Sequence, residues 1–134
     1  MTSPYATSPY AIVTAVLQAY VDKDRAAIEA LIADDYRFSS PYDNGLDRRS
    51  YFEICWQNHK VITRFDFLHH AESGDRVFVI YEGHATRTTG HISRIFRNCE
   101  MHTVRGGKLV ATECYFGWNV PHPVPPGEHK APAA

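Results

Sequence analysis

Ile12, Val13, Val16, Leu17, Tyr20 and Val21 recur at the three- and four-residue spacing of one helix face. Ser8 followed by Pro9 supplies an N-cap and a first-turn proline, so the pattern predicts a helix over about residues 9–22. The direct repeat of Thr2–Ala6 in Thr7–Ala11 reads as a local duplication, since only its second copy leads into that helix. Asp24 can cap a second helix, with Ala27, Ile28, Leu31 and Ile32 as its apolar stripe, ending near "ADDY". Tyr36 to Ser40 alternates like a short strand. "PYDNGLD" (Pro41–Asp47) is turn chemistry, and Asp47 caps a third helix through "RRSYFEICWQN".

From Val61 the period changes to two. "VITRFDFLHHAE", "DRVFVIYEGHATR", "HISRIFRNCEMHTV" and "KLVATECYFGWNV" are separated by Ser73-Gly74, Thr89-Gly90 and Gly106-Gly107, which predicts an antiparallel meander of four long strands. The tail "PHPVPPGEHKAPAA" has no periodicity and is Pro-rich. The expected organisation is a flexible lead-in over 1–8, one domain over 9–120 and a Pro-rich tail over 121–134. With helices gathered first and strands last, the expected class is α+β: a curved antiparallel sheet whose three N-terminal helices close a cone-shaped cavity.

Composition narrows the function. At 134 residues and 44% hydrophobic, the chain holds one core, so any site is built inside a single fold. The formal net charge is −1 and the basic residues are scattered, which argues against a nucleic-acid partner. Cys55, Cys99 and Cys114 have no paired spacing and no export signal precedes them, so no disulfides and a reducing cytoplasm are expected. No apolar run approaches membrane-spanning length, so a soluble protein is expected. Eight histidines raise a metal site, but there is no His-Glu-x-x-His spacing. His69 and His70 fall on opposite strand faces, and His122 and His129 lie in the tail, so no metal is expected. There is no nucleophile elbow and no glycine-rich phosphate cradle, so neither covalent catalysis nor a cofactor is expected.

The order helix, helix, short strand, helix, four long strands resembles the nuclear transport factor 2-like superfamily, in particular its SnoaL-like and ketosteroid isomerase-like branch, over roughly residues 9–120. Its carriers are "VLQAYVDKDRAAIEALIADDYRFSSPYDNG", similar to the family's opening helices and first strand, and "GGKLVATECYFGW", similar to its closing strand. The superfamily holds isomerases, polyketide cyclases, epoxide hydrolases, dehydratases and members that only bind or dimerise, so the fold alone does not choose among them. By resemblance to the isomerase, Tyr20 matches the oxyanion-hole tyrosine. Glu100, counted back from Gly107-Lys108 with one residue fewer in the turn, matches the acid that is the second oxyanion donor. Ser40, just before Pro41, stands where that enzyme has its proton-abstracting aspartate, and a neutral hydroxyl is no base by itself.

Alternation sets Phe96, Asn98, Glu100, His102 and Val104 on one face, with Ile95, Arg97, Cys99, Met101 and Thr103 on the other. The first face has apolar rims and a polar middle, as ligand pockets do. A two-residue loop at Gly106-Gly107 would set Glu100 opposite Glu113; a three-residue loop would set it opposite Thr112, with Cys114 and Phe116 in line. The second is preferred because opposed carboxylates repel and the resemblance points the same way. Walled by Phe96, Phe116 and Tyr20, the Glu100 carboxyl would lose hydration and its pKa would rise, making it a general acid or donor. Otherwise Glu100 is an exposed strand residue paired with a cation.

Asp43 and Glu82 are the candidates to replace the missing base, although Asp43 in "YDNG" can simply fix a turn. Trp56 is a ligand wall or plain core, and His59 and His102 are polar pocket candidates. Two functions follow: a cofactor-independent enzyme doing acid/base chemistry on a small apolar organic molecule, or a ligand-binding or dimerisation module of the same fold. A second acid in the cavity of Glu100 favours the enzyme. Large residues on the outer sheet face, Glu113 and Tyr115 among them, together with the resemblance, imply a homodimer.

Overall fold

A computed structural model describes residues 8–86 and 93–120. Two helices open the fold, α1 (Pro9–Asp22) and α2 (Arg25–Leu31). A hairpin of β1 (Ile32–Ser40) and β2 (Asp43–Leu46) leads to α3 (Arg48–Ile54) and a 3-10 turn (Trp56–Lys60), before the long strands β3 (Ile62–Ser73), β4 (Arg76–Thr86), β5 (Ser93–Arg105) and β6 (Lys108–Val120). The helix starts are those the capping residues dictate: the side chains of Ser8, Asp24 and Asp47 accept from the N–H groups of Ala11, Ala27 and Ser50. Ser8, the last residue of the expected lead-in, thus caps α1. The remaining lead-in, the Thr89-Gly90 turn and the tail lie outside the described residues.

The sheet has the order β2-β1-β6-β5-β4-β3 and is antiparallel except between β1 and β6. The four long strands form the expected antiparallel meander, and the parallel β1–β6 pair joins the first hairpin to it. The cause of the parallel pairing is at Ile32: expected as the last stripe residue of the second helix, it is fully buried in extended backbone opposite Leu109, so the strand begins there and not at Tyr36. "DNGL", expected as a turn, pairs back on β1 through Ser40↔Asp43 and Phe38↔Leu46. Gly45 supplies the left-handed residue there, at φ 64°.

The β5–β6 register matches neither expectation. Gly106-Gly107 is a two-residue loop, and Val110 is then an extra residue between the pairs Val104↔Leu109 and Thr103↔Ala111. Glu100 consequently faces Cys114, and His102 faces Thr112. A second irregularity sets Arg97 against both Gly117 and Trp118, and a Cβ on Gly117 would lie 2.1 Å from the Arg97 carbonyl oxygen. Such bulges add curvature to the strands that carry them. The helices cover the concave face, where Val13, Val16, Ile28, Tyr36, Val77 and Val79 form the centre of the core.

Candidate active site

Between the helices and the sheet lies a cavity of about 580 Å³. Strand β5 supplies its polar floor because residues two apart share a face: Asn98, Glu100 and His102 all line it. Tyr81 on the neighbouring strand donates to Glu100 Oε2 at 2.6 Å, and the Asn98 amide donates to the Tyr81 hydroxyl at 3.3 Å. His102 Nε2 lies 2.9 Å from Glu100 Oε1. It sits off the line of a straight hydrogen bond, so this buried nitrogen has no aligned acceptor. The other ring nitrogen, Nδ1, is 2.9 Å from Thr112 Oγ1.

Glu100 is 6% exposed, as a cavity residue should be. Its expected charge state is nonetheless overturned. Burial presses its pKa up, but His102, with the Tyr81 hydroxyl and the Cys114 thiol, outweighs burial and leaves the group below the ordinary 4.5. Glu100 is therefore a carboxylate at neutral pH and not a standing proton donor. The sequence reading failed because it surrounded Glu100 with apolar rings. Phe116 is in fact 48% exposed at the mouth, and the immediate neighbours are Tyr81, His102 and Cys114.

The donors of the site are elsewhere. Tyr20 on α1 and Tyr51 on α3 bring their hydroxyls into a short mutual hydrogen bond inside the cavity. Burial holds both well above the usual tyrosine range, so both stay neutral hydroxyls. At the cavity edge the Ser40 hydroxyl donates to Asp43 Oδ2 at 3.1 Å and accepts from the Tyr42 N–H. Ser40 thus holds the Asp43 carboxyl group in place at the cavity edge. Cys55, also in the lining, has its thiol pushed up to about 12, chiefly by burial and also by Asp43 and Glu100, so it is not a thiolate nucleophile near pH 7.

Of the expected residues, Tyr20, Ser40, Asp43, Phe96, Asn98, Glu100, His102 and Phe116 line the cavity. Trp56, His59 and Glu82 do not. Trp56 is buried 5.0 Å from the Tyr20 ring and stacks on His59 at 4.6 Å, behind the wall and not part of it. Glu82 points to the convex face, where Arg97 lies 3.3 Å away. Tyr51 and Tyr81 were missed, and Thr112, expected opposite Glu100, faces His102. Tyr81 carried a signal, since it continues the alternation of Val77 and Val79 onto the face of Asn98. Thr112 depended on the Val110 irregularity, and Tyr51 on how α3 docks.

Among the described residues no cluster of three His, Cys, Asp or Glu side chains is arranged to hold a metal ion. None of their helices is long and apolar enough to cross a membrane.

The family model described as a SnoaL-like domain matches residues 13–112. No curated protein matches the chain. Among solved structures, an NTF2-like protein of unknown function from Cytophaga hutchinsonii is 13% identical, with TM-score 0.66 over 87% of this chain and 95% of that one. A hypothetical protein of ketosteroid isomerase-like fold from Catenulispora acidiphila, in complex with trimethylamine, is 16% identical, with TM-score 0.68 over 87% and 88%. TerC, co-crystallised with polyporic acid, is 21% identical, with TM-score 0.65 over 82% and 92%. At these identities the likeness is one of fold.

Proposed function

Because the chain belongs to the SnoaL-like family of the nuclear transport factor 2-like superfamily, we propose that it is a cofactor-independent enzyme moving protons on a small, mostly apolar organic molecule, of isomerase, cyclase, dehydratase or epoxide hydrolase type. The observation that carries this reading is the presence of two carboxylates of different setting in one cavity, Asp43 and Glu100. Asp43 is held by Ser40 and has no cation paired with it among the described residues. It is free to take a proton from substrate or from a water. Glu100 is tied to His102 and Tyr81 and serves to hold the imidazole in place. The unaligned Nε2 of His102 and the Tyr20–Tyr51 hydroxyl pair supply hydrogen bonds to an oxygen that gains charge. The small molecules named with two relatives, polyporic acid and trimethylamine, accord with a small-ligand cavity.

The binding-module reading rests on Ser40 in place of the family's aspartate. Proton exchange separates the two: a panel of apolar ketones is incubated with the protein in deuterated water, and loss of carbon-bound hydrogen is followed by NMR. The enzyme reading expects exchange that falls about 10²-fold or more in Asp43→Asn and in Glu100→Gln. Tight binding without exchange for every ketone bound would favour the module.

The same reading includes a single domain over residues 9–120, a cytoplasmic location in keeping with three free cysteines, and a homodimer. The dimer rests on the convex sheet face, where Phe78 and Tyr115 are 38% and 58% exposed. A monomer by light scattering at micromolar concentration would remove the dimer.

A further inference from the structure

Gly83 on β4 and Phe96 on β5 are directly paired. Gly83 does not have positive φ, so no turn or left-handed conformation demands glycine there. Contact demands it instead. A Cβ at position 83 would lie 2.3 Å from Phe96 Cζ and 2.8 Å from both Cε atoms, so the ring rests on bare backbone. Tyr81 braces the ring edge-on at 6.3 Å, and the Arg94 guanidinium lies over it at 5.3 Å. Phe96 also lines the lumen, so a ring pushed off Gly83 has that space open to it.

We infer that Gly83 is a specificity-determining residue: by leaving its Cβ position empty it keeps the Phe96 ring down on the sheet, and so sets how large a ring system the cavity admits. The inference rests on the small-molecule reading above and adds the class of ligand. The acids of the lining are Asp43 and Glu100, and Arg94 is its only Lys or Arg among the described residues. An anionic ligand meets two carboxylates in a space of low dielectric. The aromatic walls, Phe38, Phe65, Tyr81, Phe96 and Phe116, suit flat rings, and the polar floor suits one oxygen. The class is an uncharged arene carrying a hydroxyl or carbonyl group.

An aromatic side chain laid over a strand glycine also packs well with no ligand in view. Size selectivity distinguishes the two, because packing alone would not move it. Calorimetric titration with phenol, 2-naphthol and 9-phenanthrol compares the unmodified protein with Gly83→Ala and with Gly83→Ala combined with Phe96→Leu. Gly83→Ala should weaken 9-phenanthrol about tenfold or more relative to phenol, and the second substitution should restore it. No change, or an equal loss for all three compounds, overturns the inference. If Gly83→Ala does not fold, Phe96→Trp should exclude 9-phenanthrol while keeping phenol, and failure to do so has the same force. The crystal structure of Gly83→Ala decides independently of binding: a Phe96 ring displaced into the cavity is expected, and a ring in its original place overturns the inference. Failure of all three compounds to bind the unmodified protein would count against the ligand class, while that crystal structure would still decide what Gly83 does.

Discussion

Strand β5 carries a glutamate-linked pair on each of its faces, and the two pairs do different things. On the concave face Glu100 and His102 are 8% and 2% exposed at their side chains, at a separation of 2.9 Å. On the convex face Arg97 meets Glu82 at 3.3 Å with 34% and 17% exposure. The first pair is buried, with Tyr81 and Cys114 against the carboxylate and Thr112 against His102 Nδ1. The second keeps part of its hydration. One strand period thus separates a buried pair, where each partner depends on the other, from a surface pair that the fold can do without.

The sharpest way to break this contrast is His102→Ala. It leaves the Glu100 carboxylate in the interior without its opposing ring. Removing one partner of a buried pair costs about 3–5 kcal/mol. Urea unfolding at pH 7 should show a loss of that size, and a loss near zero would mean that Glu100 is hydrated or protonated after all.

The pH dependence of stability comes next. The folded pKa of Glu100 is lowered from 4.5, so the unfolded chain takes up the proton first as pH falls. Its contribution is fully present above the unfolded value and is lost as pH falls below about 4.5 towards the folded value. Exposed Asp47 and half-buried Asp66 and Asp75 are lowered too and add a background of the same sign. The difference between the unmodified protein and Glu100→Gln isolates the buried group. That difference should shrink between pH 6 and pH 3; a constant or growing difference would contradict the lowered pKa.

How far the sequence foretold this contrast follows the range of the forces involved. Helix starts were legible because Ser8, Asp24 and Asp47 cap locally, and the face of β5 was legible because side-chain alternation is a property of the strand alone. The parallel β1–β6 pair, the Val110 irregularity and the partners of Glu100 depend on residues distant in sequence. Asp43 and Ser40 were legible as chemistry, but not the hydrogen bond that makes the serine an orienting group for the acid. The largest error, the direction of the Glu100 pKa, came from counting aromatic neighbours without the Tyr81 hydroxyl, which the β4–β5 register brings to it, and without the His102 ring, which strand alternation had already set on the same face.

The smallest expected effect completes the comparison. Glu82→Gln removes the convex-face carboxylate while keeping its shape, and the Arg97 guanidinium retains the Trp118 ring at 5.4 Å and access to water. Partly exposed ion pairs contribute about 0–1 kcal/mol, so the unfolding midpoint should barely move. Deuterium exchange into ketones should also be unchanged, because Glu82 lies across the sheet from the cavity. A fall in exchange comparable to that of Glu100→Gln would mean that the convex face communicates with the cavity, and the division of β5 into a chemical face and a supporting face would fail.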